Sequence, residues 1–206
     1  MDRPYFITGI GTGIGKTLVS AVLCHAWQAD YWKPVQAGWE EGTDSQWISR
    51  MAPAGTQVFE EAFRLKKPAS PHIAAREEGI DIRVADLVAA CPSSPGPLLI
   101  EGAGGLLVPL NEKETMADLA LALQARLVLV SRNYLGSINH SLLTAAYCRQ
   151  AGLDVAGWIF NDRFGDYEKE IAAWTGYPIL GSIPFEENPG EAFLRRVAGT
   201  ITKPLS

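Results

Sequence analysis

Little in this sequence favours a secreted, membrane-spanning or nucleic-acid-coating protein. Cysteine is scarce: Cys24, Cys91 and Cys148 are far apart and form no C-x-x-C. That argues against a disulfide framework and predicts reduced, mostly buried thiols in a cytoplasmic protein. No apolar run reaches the length of a membrane helix. The N-terminal apolar run is broken at once by glycines, so it has no signal-peptide pattern. Positive charge is also in deficit: 18 Lys and Arg against 23 Asp and Glu leave a net charge of -5. That balance excludes a broad electrostatic grip on nucleic acid. The RLKK stretch, Arg64 to Lys67, reads as solvated surface. With no repeat and no linker, residues 1–206 are expected to form one domain.

Apolar residues make up 47% of the chain, enough for a substantial core. Strand-like runs alternate with helix-like ones: YFI, YWKPVQAG, LLIEGAGG, RLVLVSR, DVAGWIFND and YPILGSIPF. The alternation predicts an α/β fold, a mostly parallel sheet with helices on both faces. LVSAVLCHAW is apolar nearly all round, so it should be a central, buried helix. His25 shares a face with Leu18 there and reads as a packing histidine. Thr115 to Asp118 resembles a capping box opening a helix with the stripe Met116, Leu119, Ala120 and Leu123. Val84, Leu87, Val88 and Cys91 make a second stripe. Gly136-Ser137 opens a helix through Arg149 that Gly152 can terminate. CPSSPGP, residues 91 to 97, is a loop entering the LLIEG strand.

The chemistry concentrates first in TGIGTGIGKT. Strand, glycine loop and helix form the context of a P-loop, in which backbone N–H groups and a helix N-terminus cradle phosphates. Lys16 would reach the β- and γ-phosphates and Thr17 would meet Mg²⁺. The spacing is a variant. The standard pattern needs glycine at position 10, where this chain has Ile10. A dinucleotide-binding G-x-G-x-x-G from Gly9 fails at Ile14. In a parallel sheet, ligands gather at the carboxyl ends of the strands. That rule selects the loop through Thr17, Lys33, Glu101, Asn133 to Ser137, Asn161, and Pro184-Phe185.

The set TGIGTGIGKT, KPVQAG, SPHIAA, EGAGGLLVPL, LGSINH and WIFND resembles the dethiobiotin synthetase family, from residue 5 to about residue 189. The resemblance implies a P-loop enzyme that joins CO₂ to 7,8-diaminononanoate with ATP and Mg²⁺. It implies Lys33, Lys16 and Thr12 as the catalytic set. It implies nucleotide contacts at Gly13, Ile14, Gly15, Lys16, Thr17, Leu18, Glu101, Gly102, Ala103 and Gly104, with Asn161, Asp162, Ile183, Pro184 and Phe185 at the base. Asn161 suits the adenine edge because a carboxamide both donates and accepts, although Asn is also a common cap or turn residue. Metal ligands are expected at Thr17, Asp44 and Glu101. Asp44 could equally cap the helix DSQWISRM, and Glu40 and Glu41 rank below it. The substrate is expected at Lys33 and Ala37, and at Gly136, Ser137, Ile138 and Asn139 of a partner subunit, which implies a homodimer. His72 and His140 belong to the motifs without a proton-transfer role.

Two positions depart from the family pattern. Ala37 stands where Ser or Thr is common, and Gly13 where Glu is frequent. The segment from Asp44 to Ser70 matches weakly. A partition-type switch ATPase is the main alternative, but such proteins carry an early lysine in the loop where this chain has Gly11. A related P-loop ligase acting on a larger acid normally carries a further glutaminase domain.

Overall fold

The computed structural model describes residues 3–40, 42–162 and 167–204; Glu41 lies outside them. In chain order the elements are β1 (Tyr5–Gly9), α1 (Lys16–Trp27), β2 (Asp30–Trp32), β3 (Val35–Ala37), α2 (Asp44–Met51), β4 (Val58–Phe59) and β5 (Phe63–Leu65). Then come α3 (Pro71–Glu77), α4 (Val84–Ala89), β6 (Leu98–Glu101), α5 (Met116–Ala122) and β7 (Arg126–Arg132). The last are α6 (Ser137–Gln150), β8 (Val155–Asn161), α7 (Glu168–Thr175), β9 (Ile179–Ile183) and α8 (Glu191–Ala198).

Seven strands form one parallel sheet in the order β4-β2-β6-β1-β7-β8-β9. The period of two along each strand sends alternate side chains into two cores. Phe6, Ile100, Leu127, Leu129, Trp158 and Phe160 face one core, shared with α3 to α7. Ile7, Leu99, Val128, Val130 and Ile159 face the other, shared with α1, α2 and α8. Each fully buried large side chain contributes about 1.5–3 kcal/mol, which is why uninterrupted apolar runs such as LVLV become central strands. Among the described residues no helix is long and apolar enough to cross a membrane.

Three expectations change. YWKPVQAG is not one strand. It breaks at Lys33-Pro34 into β2, in the large sheet, and β3, which pairs with β5 in a separate two-stranded sheet. Pro34 has no N–H to continue a ladder, and its carbonyl instead accepts the Ala62 and Phe63 N–H groups at 3.0 and 3.1 Å. Val88 is exposed, because α4 is a short helix that buries only Val84 and Leu87. Asp44 does not cap its helix: Thr43 does. The Thr43 hydroxyl accepts the Gln46 N–H at 3.2 Å while Gln46 Oε1 accepts the Thr43 N–H at 3.1 Å.

Other features follow the sequence. Asp118 accepts the Thr115 N–H at 2.7 Å and closes the capping box of α5. Burial raises the Cys24 and Cys148 thiols to about 12, so both are unreactive. His25 lies 2.8 Å from the Met51 carbonyl and ties α1 to the end of α2.

Candidate active site

The glycine loop links β1 to α1 and wraps back on itself. Gly13 and Gly15 hold φ of 70° and 88°, a left-handed conformation that side chains resist. A Cβ on Gly9 would stand 2.0 Å from the Val130 carbonyl oxygen, so the loop can leave β1 only through glycine. Lys16 opens α1, and its ammonium donates to the Gly11 carbonyl at 2.9 Å across the loop. Burial pulls its pKa down to about 8; Glu101 opposes that shift and Lys33 adds to it.

Beside the loop is a cleft of about 710 Å³. Thr12, Gly13, Gly15, Lys16 and Thr17 line it on the loop side. Lys33, Ala37, Asp44, Glu101, Ala103 and Gly104 line the rest, so most predicted phosphate, metal and amine contacts share one cavity. The weakly matched segment contributes Pro68, Ala69 and Ser70. Glu40 does not line the cleft.

The polar centre of the cleft is Glu101, 1% exposed at the end of β6. Its Oε1 receives Lys33 Nζ at 3.1 Å and Thr17 Oγ1 at 3.0 Å. Its Oε2 receives the Tyr31 hydroxyl at 3.0 Å and Ser20 Oγ at 2.9 Å. Asp44 faces it from the start of α2. Asp44 Oδ2 pairs with Lys33 Nζ at 2.5 Å, and Asp44 Oδ1 lies 3.0 Å from Thr17 Oγ1. Gln36 Oε1 accepts the Asp44 N–H at 3.3 Å and helps fix its position. Burial works against the Lys33 charge, but Glu101 and Asp44 outweigh it and hold its pKa above the ordinary lysine value. Burial, then Glu101 and Asp44, push the Tyr31 phenol well above its usual value, so it remains a donor.

This donor set fits a hard divalent cation. Thr17 has one hydroxyl proton yet lies 3.0 Å from a carboxylate oxygen on each side, so one of those contacts is left without a proton. In this structure the single Lys33 ammonium pairs with both carboxylates and offsets only one of their two charges. Among the described residues no cluster of three or more His, Cys, Asp or Glu could hold a metal alone. A cation here needs phosphate and water oxygens beside Thr17, Asp44 and Glu101, which is the habit of Mg²⁺.

The remaining predicted residues lie outside the cleft. Asn161 is buried at the end of β8, and its Nδ2 donates to the Ile14 carbonyl at 2.9 Å. One donor therefore braces the glycine loop. Asp162 takes φ 65°, donates its N–H to the Ile183 carbonyl and pairs with Arg132 at 3.0 Å. Ile14 and Ile183 are core residues, Leu18 is half-buried, and Pro184 and Phe185 are exposed. Gly102 is glycine for packing: a Cβ there would meet the Phe6 ring at 2.8 Å. Gly136, Ser137, Ile138 and Asn139 open α6 and do not line the cleft of their own chain. His72 lies 3.1 Å from Ser70 Oγ and His140 2.7 Å from the Tyr134 hydroxyl.

Sequence reading missed Ser20, Tyr31 and Gln36. Ser20 lies one turn beyond Lys16, and Tyr31 lies in β2 two residues before Lys33, so helix and strand periods carried a signal for the first two.

A family model described as an AAA domain matches residues 3–191. The chain is 49% identical over 188 residues to the ATP-dependent dethiobiotin synthetase BioD of Cytophaga hutchinsonii, covering 90% of each. It is 46% identical over 186 residues to the ATP-dependent dethiobiotin synthetase BioD of Brucella ovis, covering 89% of this chain and 87% of that one. Among solved structures it is similar to the septum site-determining protein MinD complexed with Mg-ADP from Pyrococcus horikoshii. That match has a TM-score of 0.58 at 13% identity and covers 96% and 95% of the two chains. The ParA family ATPase of Chlorobium tepidum matches with a TM-score of 0.57 at 14% identity, covering 97% and 92%. At those identities the structural likeness is one of fold.

Proposed function

The chain belongs to the ATP-dependent dethiobiotin synthetase family, and we propose that the Lys33 cleft carries out the chemistry of that family on 7,8-diaminononanoate. One amine of the substrate adds to CO₂ and loses a proton, giving a carbamate. A carbamate oxygen attacks the γ-phosphorus of ATP, and the bond to ADP breaks. The second amine then attacks the carbonyl carbon, loses its proton and expels phosphate, closing the cyclic urea.

The observation that carries this reading is that two buried lysines, Lys16 and Lys33, and two carboxylates, Asp44 and Glu101, line one cleft. Carbamate and triphosphate are both anions, and they meet only where positive charge is concentrated and water is scarce. Lys16, at the start of α1, is placed to hold the β- and γ-phosphates with the loop N–H groups. Lys33, which lines the same cleft, would hold the carbamate oxygen. Thr12, on the loop, lines the same cleft and would assist there. Bound at Thr17, Asp44 and Glu101, Mg²⁺ would add positive charge to the phosphate oxygens. The Lys33 ammonium, which pairs with both carboxylates, would hold substrate from the same position. Asn161 and the backbone of 183–185 suit the adenine edge, with the second Nδ2 proton and Oδ1 as reading groups.

The site also favours a homodimer. The opening residues of α6 do not line the cleft of their own chain, while Leu135 and Leu143 near them are 85% and 61% exposed. A second copy that covers this face would bring Gly136 to Asn139 over the neighbouring site to hold the substrate carboxylate.

The test is phosphate release and cyclic urea formation by the purified protein with MgATP, bicarbonate and the diamine. Release that requires both diamine and bicarbonate supports the reading. Release that proceeds without the diamine sinks it and favours a switch ATPase.

A further inference from the structure

We propose that Tyr31 and Ser20 are positioning residues for the metal carboxylate: together they anchor one oxygen of Glu101 and present the other to the cleft. The inference rests on the proposed role of Glu101 as a metal ligand, and adds what sets its orientation.

The division of labour at Glu101 is complete. Both contacts on Oε2 come from buried groups behind the carboxylate. Both contacts on Oε1 come from Lys33 and Thr17, which line the cleft. The two anchors reach Glu101 from independent elements. Tyr31 is on β2, the strand paired with β6, in register with Leu99. Ser20 is on α1, one turn beyond Lys16, and is fully buried.

Ser20 Oγ lies 2.9 Å from both Glu101 Oε2 and the Lys16 carbonyl oxygen. It has one proton to give, and the ionised carboxylate is the stronger acceptor. Tyr31 has Glu101 as its acceptor, and its ring is wholly enclosed in the core. Rotating the carboxylate would take the acceptor from a buried phenol and the stronger of two acceptors from a buried serine, which would fall back on the Lys16 carbonyl. Glu101 is therefore held in one orientation before any ligand arrives. Outer partners of this kind set ligand geometry, and their loss typically weakens metal binding about 10–100-fold.

The test uses Tyr31→Phe, Ser20→Ala, the double variant and Glu101→Gln. The probe is Mn²⁺ binding to the protein–ADP complex, followed by the electron paramagnetic resonance of free Mn²⁺. ADP affinity in EDTA and thermal midpoint are measured alongside. Each single variant should weaken Mn²⁺ binding about 10-fold, and the double variant up to about 100-fold. ADP affinity without metal should stay within about twofold, and the Mg²⁺ half-saturation for urea formation should rise in step. A double variant that binds Mn²⁺ as tightly as the unaltered protein overturns the inference. So does a loss of Mn²⁺ affinity matched by an equal loss of ADP affinity in EDTA, since that marks general damage. If Glu101→Gln itself keeps full Mn²⁺ affinity, the metal role of Glu101 fails. If Glu101→Gln loses it while the double variant does not, only the positioning role fails.

Discussion

The Lys33 ammonium lies 3.1 Å from Oε1 of Glu101, and both groups are almost wholly withdrawn from water. A buried carboxylate of this kind needs a counter-charge, and Asp44, about a third exposed, meets the same ammonium from the other side. Lys33, the proposed carbamate-binding group, is therefore also the counter-charge that both carboxylates share. Lys33→Ala should lower urea formation about 10²–10³-fold, the loss expected for one electrostatic group at a developing charge. The same variant should bind Mn²⁺ more tightly than the unaltered protein in the absence of nucleotide, because a competing positive charge has gone. A resonance titration of free Mn²⁺ checks this. Weaker Mn²⁺ binding in Lys33→Ala would show that the two carboxylates do not share a cation site.

Lys16 gives the nucleotide affinity a defined pH dependence. Its pKa is lowered to about 8, chiefly by burial, in the ligand-free protein. Triphosphate beside the ammonium raises that pKa in the complex. Below about pH 8 the lysine is protonated in both states and the affinity is flat. Above it, binding must take up a proton, so Kd should rise towards tenfold per pH unit. Calorimetry in buffers of different ionisation enthalpy should show proton uptake at pH 9 and little at pH 7. Lys16→Gln should bind weakly throughout and lose the slope. A flat affinity from pH 7 to 9.5 in the unaltered protein would contradict the assignment.

Ala37 stands on the cleft wall at the end of β3, beside Lys33 and Asp44 among the lining residues. A hydroxyl here would gain a hydrogen bond to a substrate amine, worth about 0.5–1.5 kcal/mol. Ala37→Ser should therefore lower KM for the diamine about 2- to 10-fold, with ATP affinity unchanged. Steady-state kinetics with varied diamine decide it. An unchanged KM would mean that a backbone group already serves that amine.

The pieces legible from sequence are those carried by contiguous residues. YFITG followed by glycines and LVSAVL specifies β1, the loop and α1, and LLIEG places Glu101 at a strand end. The less legible pieces depend on distant convergence. Ser20 and Tyr31 meet Glu101 across 81 and 70 residues, and nothing local to either says that they share an acceptor. The break after Lys33 was also hidden. Pro34 marks a turn, but that the chain then joins a second sheet depends on β5, a strand of three residues with too little length to show a period. Asn161 is a third case. Its carboxamide suggests a base reader, with a cap or turn residue as the alternative, but its hold on the Ile14 carbonyl appears only when β8 and the loop are brought together.

The glycines of the loop should fail unequally, and Asn161 decides which fails worst. Gly13 and Gly15 both have positive φ, so alanine at either costs about 1–2 kcal/mol in backbone strain. At Gly13 nothing lies within 4 Å of the added carbon. At Gly15 the added carbon would stand 2.0 Å from Asn161 Nδ2, driving that amide off the Ile14 carbonyl. Gly13→Ala should therefore lower the thermal midpoint modestly and retain MgATP binding. Gly15→Ala should lose the loop brace and the base-reading position together, with ATP affinity down by about 100-fold or more, the equivalent of two lost hydrogen bonds plus strain. Adding Asn161→Ala should relieve the clash, so the double variant should be thermally more stable than Gly15→Ala alone while still binding ATP weakly. Thermal melts and nucleotide titrations of the three variants separate these effects. Equal damage from Gly13→Ala and Gly15→Ala would mean that backbone conformation alone, and not the contact with Asn161, governs the loop.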